Sequence, residues 1–357
     1  MERFMECFGE IDDPRAANAS HDLLEVLFIA LLACLCGART CEAMSEFGHS
    51  KQALLGEFLS LKHGIPSHDT FSRVFRLLDP VAFERAFREF MAKFVEGLSG
   101  VVAIDGKALR GACEKGKSHM PRMMVGAFAA ETRLTLAGIE AKDGNERLSA
   151  LQLIELLSLK GCIVTADALH CHKEMASRIT AGKGDYLLRV KNNQPSLHAA
   201  ARQAIDGPGA RTAVKRGKAR GGAETRTVTV VPATAIAAKT GFPGLKAIAR
   251  LRVEREGHKT EDRYYLLSRR FDPERIIAIT RQHWSIENQQ HWVLDAIYDE
   301  DAARSRKDNA PQNLAVLRRL ALNIARLHPD TKTPLSRKLQ RAGWNHAFLF
   351  ELISHMR

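Results

Sequence analysis

Residues 101–111 read VVAIDGKALRG, from Val101 to Gly111. Four apolar residues end in a single acid, Asp105, followed by Gly106 and Lys107. A short, continuous apolar run of this kind is the pattern of a strand buried on both faces, as in a parallel sheet. The C-terminal ends of such strands are where open α/β sheets place ligands. Asp105 therefore has two readings. It caps the loop after the strand, with Gly106 forming the turn, or it is a catalytic or metal-binding carboxylate. One acid after one strand is more often a cap, so the rest of the chain has to decide.

A second apolar run with the same ending lies downstream, where CIVTADALH at 162–170 delivers Asp167. Between the two come strand-like runs at 123–130 and 134–141, then a helix from Asn145 or Glu146 through Leu159 with Leu148, Leu151, Ile154 and Leu157 at helical spacing. A helix at 172–181 and a strand at 186–190 follow. The order strand, strand, strand, helix, strand, helix, strand leaves room for a right-handed crossover that returns the fourth strand parallel to the first. If those two are neighbours, Asp105 and Asp167 emerge side by side. Carboxylates so placed repel each other unless a cation lies between them, and a hard divalent ion with oxygen ligands suits the site.

A third acid comes later. Asp272-Pro273 is an N-cap followed by proline at the first helical position. Behind it Ile276, Ile277, Thr280, His283, Trp284, Glu287, His291 and Leu294 recur at spacings of three and four, which places Glu287 on or beside the packed face of one long helix. Glutamate is seldom buried without a partner. A metal shared with the two aspartates would supply one; a salt bridge to an arginine is the alternative. Two aspartates at strand ends and a glutamate on a later helix are the ligand set for a pair of divalent ions in phosphoryl transfer.

The whole chain agrees with a nucleic-acid substrate. Its 357 residues suggest two or three units, and 45% hydrophobic with 26% charged residues is a globular composition. Lys and Arg outnumber Asp and Glu by 53 − 41 = 12. The resulting pI near 9.5 points to a nucleic-acid partner, with membrane surfaces and acidic proteins as the other classes such charge can serve. Seven cysteines without a CxxC pair fit reduced thiols in a cytosolic protein. His170, Cys171 and His172 lack a fourth ligand at metal-site spacing. The longest apolar stretch, Leu23 to Cys36, is interrupted by Glu25 and is shorter than the ~20 residues a membrane span needs. It reads as a core helix, with no membrane association.

The first hundred residues look helical throughout. Ser20 or Asp22 caps a helix ending at Leu35, Thr40 opens one running toward Phe58, Ser67 or Asp69 caps one carrying Phe71, Val74, Phe75 and Leu78, and another spans Val81 to Leu98. This is either a helix-turn-helix-like DNA-binding unit, with Arg73 and Arg76 outward, or a dimerisation bundle. From Pro195 to Arg270 strand-like runs at 227–231, 246–256 and 263–269 surround a basic, glycine-rich stretch with Arg211, Lys215, Arg216, Lys218, Arg220 and Arg226, which reads as a loop suited to phosphates or simply a solvated one. Arg304, Arg306, Lys307, Arg318, Arg319 and Arg326 surround a last apolar helical repeat, Leu314 to Leu327.

Several stretches together resemble one family, the bacterial insertion-sequence transposases of the DDE type, in the group containing the H-repeat-associated proteins. They are IDDPR (11–15), IPSHDTFSRVF (65–75), AIDGKALRGA (103–112), VTADALHCHKE (164–174), YLLRVKNNQP (186–195), HWSIENQQHWVLD (283–295) and its continuation. The resemblance implies an α/β fold, a ribonuclease-H-like core of mixed sheet flanked by helices, with a β-rich insertion and an all-α N-terminal domain. The expected division is 1–98, 99–206, 207–270, 271–330 and a helical tail at 331–357. It further implies Asp105, Asp167 and Glu287 as catalytic acids and metal ligands, two Mg2+ ions replaceable by Mn2+, and cutting and joining of the element's terminal inverted repeats into target DNA. The partner is then double-stranded DNA, and the state on DNA a homodimer in the bacterial cytoplasm, at the nucleoid. A non-catalytic DNA-binding relative and a metal-dependent nuclease of the same fold are the competing functions. The wider family often carries Tyr, Arg, Glu and Lys around its glutamate, whereas the matching positions here are Thr280, His283, Glu287 and Leu294. Candidate DNA contacts are Lys107, Arg110, Lys191, Arg216, Lys218, Arg220, Arg281, His283, Asn288, His291, Arg304 and Arg306, those near Glu287 being equally open to structural roles.

Overall fold

Thirteen residues beginning LLEVLF, apolar on every side but one, cannot form a surface helix. In the computed structural model, which describes residues 2–15, 19–95, 97–114, 117–219 and 222–354, they form α2 (Leu23–Leu35), buried almost throughout and capped by Asp22, whose carboxylate accepts from the Glu25 N–H at 3.0 Å. Around it pack α1 (Glu2–Phe8), α3 (Cys41–Ser50), α4 (Gln52–Leu55), α5 (His68–Leu77) and α6 (Pro80–Ala92). Thr40, Ser67 and Asp79 cap α3, α5 and α6. The helix expected to reach Phe58 ends at Ser50 and restarts as α4, and the one expected to reach Leu98 ends at Ala92. No described helix is long and apolar enough to cross a membrane.

The sheet grows from β1 (Gly100–Glu114), in which Val101 to Ile104 are fully buried. β2 (Lys117–Ala129) and β3 (Leu134–Ala141) follow as an antiparallel meander. Helix α7 (Glu146–Glu155), capped by Asn145, then carries the chain over to β4 (Cys162–Ala166), which lies parallel to β1. Helix α8 (Lys173–Ala181) leads to β5 (Asp185–Val190), parallel to β4. These five strands stand in the order β3-β2-β1-β4-β5, the ribonuclease-H-like arrangement that the family resemblance implies.

After α9 (Pro195–Ala204) the chain adds β6 (Arg211–Ala219), β7 (Gly222–Pro232), α10 (Thr234–Thr240), β8 (Ala247–Arg255) and β9 (Glu261–Leu267). β9 pairs antiparallel with β5, so these strands continue the central sheet as β5-β9-β8-β7-β6. The basic stretch read as a loop is thus a hairpin, with Arg211 opposite Val230 and Ala219 opposite Gly222. Its strand character is hidden in the sequence because β6 is an edge strand, and charged side chains on such an edge block unwanted pairing. Arg220 lies outside the described residues.

Helix α11 (Pro273–His283), a π-helical turn at Ile286–His291, and α12 (Trp292–Tyr298) cross the other face of the sheet. Successive strand residues point to opposite faces, and the packing obeys this. Val102, Ile104, Val164 and Ala166 join α7 and α8, whereas Val101 and Ile163 join Ile276, Ile277 and Ile279, and Ala103 meets Ile286. Helix α13 (Ala310–Leu327) is buried nearly end to end between α2, α5, α6 and β3. Helices α14 (Leu335–Trp344) and α15 (His346–Ile353) complete the same core. Of the basic residues expected to surround α13, Arg304, Arg306 and Lys307 are exposed, whereas those within the helix are not. Arg318 and Arg319 are buried with Glu300, whose carboxylate lies 3.0 Å from Arg319.

Edge strand β3 has no further strand to satisfy its outward backbone, and Asn323 of α13 does so instead. Its amide accepts from the Thr135 N–H at 3.0 Å and donates to the Thr135 carbonyl at 2.8 Å, all of it buried. Replacing Asn323 by Ala strands two buried backbone groups, each worth about 1–3 kcal/mol. Denaturant titration of Asn323→Ala is expected to show a loss of at least about 2 kcal/mol.

Candidate active site

The last parallel pair of β1 and β4 is Ile104 with Ala166, so Asp105 and Asp167 leave neighbouring strands at the same level. By parity with Val101, Ala103, Ile163 and Thr165 both belong to the face covered by α11 and the π-helical turn. Asp105 does not end its strand, however. β1 runs on to Glu114 against β2, with Asp105 opposite Gly126 and Lys107 opposite Met124. What ends there is β4, and its departure opens the space above Asp105. Asp105 is therefore no loop cap, and Gly106 is no turn. A methyl on Gly106 would overlap the Glu146 carboxylate at the start of α7, the far end of a flexible side chain that would have to swing aside.

Glu287 lies in the π-helical turn and is exposed, while Ile286 and Gln290 point into the core. One unbroken α-helix was expected here. The wider turn instead puts the inward residues Ile286, Gln290 and Leu294 at even intervals of four and swings Glu287 to the rim of the acidic face. Gln290 is fully buried against Gly126, and neither end of its amide has a protein partner.

The electrostatics single out Asp105. Burial, and then the charges of Glu287, Asp167 and Glu146, outweigh its hydrogen bond from the Gly106 backbone and push the carboxyl up to about 7. Burial and the charge of Asp167 raise Glu287, opposed by Arg263. Burial also acts upward on Asp167, but a 3.1 Å bond from Lys191 and the nearby charges of Arg189, Lys191 and His283 hold it below its ordinary value. Among the described residues no three Asp, Glu, His or Cys side chains are gathered closely enough to hold a metal ion. The residues still fit a divalent ion in kind. The donors are hard carboxylates, Asp105 and Glu287 raised by burial and by the charge of neighbouring acids, beside an amide without a partner among the described residues. Asp167 is meanwhile engaged by cations that a metal would replace.

The other sequence candidates divide clearly. Lys107 faces the same side as Asp105 but is buried, with its ammonium bonded to both Asp295 oxygens at 3.0 and 2.8 Å and to Asp301 at 2.9 Å. Here it joins β1 to α12 by ion pairs, a salt bridge being the alternative to a phosphate contact. His283 bonds the Thr165 hydroxyl at 3.0 Å, and burial lowers it to about 4. His291 stands 3.8 Å from Asp105, lowered by burial to about 3 and so uncharged. Asn288 donates to the Trp284 carbonyl at 3.0 Å. Arg306 donates to the Gly111 carbonyl at 2.7 Å, and Arg110 reaches Asp301 at 3.4 Å while largely exposed. Arg281 and Arg304 are exposed. Arg216 and Lys218 are exposed on β6, six strands from β1 and so roughly 29 Å away at the usual strand spacing. His172 caps α8 through Nδ1 and Cys171 is buried, so His170–His172 is structural. Asp272 opens α11 without a side-chain cap bond and instead pairs with Arg211 at 2.9 Å.

Sequence reading missed Glu146, Arg189, Arg263 and Gln290. Arg189 stands two residues before Lys191, a period-two signal that was available.

Two outcomes follow. In metal-free protein the folded state retains a proton on Asp105 between about pH 4 and 7 that the unfolded state has lost, so stability falls as pH rises through that window. Asp105→Asn removes this slope and is expected to exceed the parent in stability at pH 8 by on the order of 2–4 kcal/mol, compared with pH 4, as read by denaturation with a chelator present. Lys107→Met leaves Asp295 facing Asp301 without a cation of its own, and Asp301 with only the exposed Arg110. It is expected to destabilise by about 3–5 kcal/mol, and an unchanged melting profile would contradict the bridging role.

A family model described as a transposase DDE domain matches residues 96–324, and one for its associated domain matches 5–91. YncI of Escherichia coli O157:H7, described as a candidate transposase, is 32% identical, with 96% of this chain and 92% of that protein aligned. YhhI of E. coli K12, described as an H repeat-associated candidate transposase, is 29% identical over 99% of this chain and 98% of its own length. Among solved structures, a piggyBac transposase in a synaptic complex with hairpin DNA aligns with all of this chain and 78% of its own at 13% identity and a TM-score of 0.46. The match over residues 96–324, joined to full-length similarity with YncI, makes this chain a member of the DDE transposase family.

Proposed function

We propose that the protein is a metal-dependent DNA transposase that cuts at the terminal inverted repeats of its own element and joins the freed ends to target DNA. The observation that supports the reading is that Asp105 and Asp167 follow the last pair of neighbouring parallel strands on one sheet face, with Glu287 on a π-helical turn at the rim of that face. Asp105, Asp167 and Glu287 would hold two divalent ions, Mg2+ or Mn2+. Ions bound there supply Lewis acidity and charge neutralisation for in-line attack of water or a 3′-hydroxyl on a phosphodiester. Lys107, through Asp295 and Asp301, keeps the strand of Asp105 and the helix of Glu287 in register. Neutral His283 ties that helix to β4 through Thr165, and neutral His291 adds no positive charge beside Asp105.

Double-stranded DNA is the partner that a net charge of +12 favours. Arg281 on α11, Arg304 before α13 and Arg216 and Lys218 on the edge hairpin are exposed and supply separated cationic footholds. The spacing from β1 to β6 approaches one turn of duplex, about 34 Å. The helical unit 1–98 then holds the element end or a second copy, since two ends require two catalytic sites, which makes the working state a homodimer on DNA in the bacterial cytoplasm.

Purified protein with Mg2+ is expected to nick and join duplexes carrying the element's terminal repeats. Asp105→Asn is expected to reduce both reactions to background while leaving DNA affinity within about threefold, because it removes a carboxylate and no cationic contact. Gel analysis of labelled ends measures it, and undiminished cleavage by Asp105→Asn would sink the proposal.

A further inference from the structure

We propose that the cavity beside Asp167 is a subsite for one nucleotide of a DNA strand, with Arg189 and Lys191 receiving its phosphate. The proposal deepens the transposase reading and rests on it for the identity of the strand. A cavity of about 620 Å3 opens at the ends of β4, β5 and β9, walled by Asp167, Leu169, Arg189, Lys191, Asn192 and His198. Asp105 and Glu287 are not on its wall. The cavity therefore neighbours the acid cluster and shares only Asp167 with it, where a strand running past the cluster would continue.

Its cations differ in how fully they are engaged. Arg263 on the wall makes two 2.7 Å bonds to Glu261, and the wall's Asp262 is taken up by two 2.8 Å bonds from Arg252 outside the cavity. Both pairs are short and bidentate, as strong carboxylate pairing requires. Arg189 instead spreads over Asp167 and Glu261 at 3.4 Å each, and its buried Nε has no protein partner. Lys191 reaches Asp167 at 3.1 Å from a half-exposed position. These two are the cations with capacity left, and Asp167 is the anion they share. Once that carboxylate is engaged elsewhere or neutralised, both need another anion, and a phosphodiester at the cavity mouth answers the need.

The remaining walls favour a nucleotide over a bare phosphate. Leu169 is 52% exposed, an unusual degree for leucine beside a polar cluster, and offers an apolar surface. The His198 ring stands edge-on to Tyr264 at 5.2 Å, leaving an aromatic surface along the cavity. Charge for the backbone next to apolar and ring surfaces for the base is the combination single-strand sites use.

The test reads binding alone. Full-length protein in chelator is titrated with a fluorescent ten-nucleotide single strand across a salt series. Arg189→Gln and Lys191→Gln are each expected to weaken binding about tenfold and to lower the salt slope by about 0.7. Asp167→Asn is expected to tighten binding, because it frees both cations. An unchanged salt slope in Lys191→Gln, whose half-exposed site tolerates the change, overturns the subsite, as does weaker binding by Asp167→Asn with a parental melting temperature. Displacement of the strand by inorganic phosphate as readily as by thymidine 5′-monophosphate overturns the nucleotide assignment. A protein that shows the expected shifts yet never cuts terminal repeats refutes the transposition reading and keeps the subsite.

Discussion

The parallel pairing of β1 with β4 is the constraint on which the rest depends. Because strand side chains alternate, the register of Ile104 with Ala166 decides in one step which residues face α7 and α8 and which face α11. A slip of one residue would turn Asp105 toward Glu146 and send Val102 and Ile104 to the wrong core. Apolar residues on both faces of both strands oppose that slip, so the packing of the sheet and the aim of the acids are the same fact.

Holding carboxylates together in a partly buried place carries an electrostatic cost, and the protein distributes counter-charge around it. Lys107 lies two residues beyond Asp105 but is fully engaged by Asp295 and Asp301, and Arg319 is matched to Glu300 below. Asp167 has its own cations at the opposite rim. Asp105 has no cationic partner among the described residues, and burial together with the charges of Glu287, Asp167 and Glu146 holds its proton. Pairing the surroundings while leaving the central acid unpaired keeps demand for positive charge concentrated at one point.

Much of this was legible in the sequence because it is local. The runs ending in Asp105 and Asp167, the order of strands and helices along the chain, and the caps Asn145, Ser67 and Thr40 are short-range signals, whereas the spatial order of the five strands was implied only by the family resemblance. The features that escaped are of two kinds. Lys107 meets Asp295 and Asp301 across almost two hundred residues, a pairing that no spacing rule reveals. The π-helical turn at Glu287 differs from an α-helix by one residue of register, and a pattern of threes and fours fits either. The edge strand β6 read as a loop because its charges serve negative selection against pairing rather than a core. The burial of Arg318 and Arg319 escaped because their partner Glu300 stands outside the helix.

Helix α13 sits inside a core whose other walls are α2, α5 and α6. During synthesis those helices leave the ribosome first, yet the element that fills their shared interior is made some two hundred residues later. The N-terminal helices must therefore wait with apolar faces open while the whole sheet is translated, and the chain closes on its own beginning only near its end. A frameshift or stop codon within the sheet would leave a fragment that is not merely inactive but prone to cluster with its copies, so damaged copies of such a gene would tend to be removed as protein before they could interfere with intact ones.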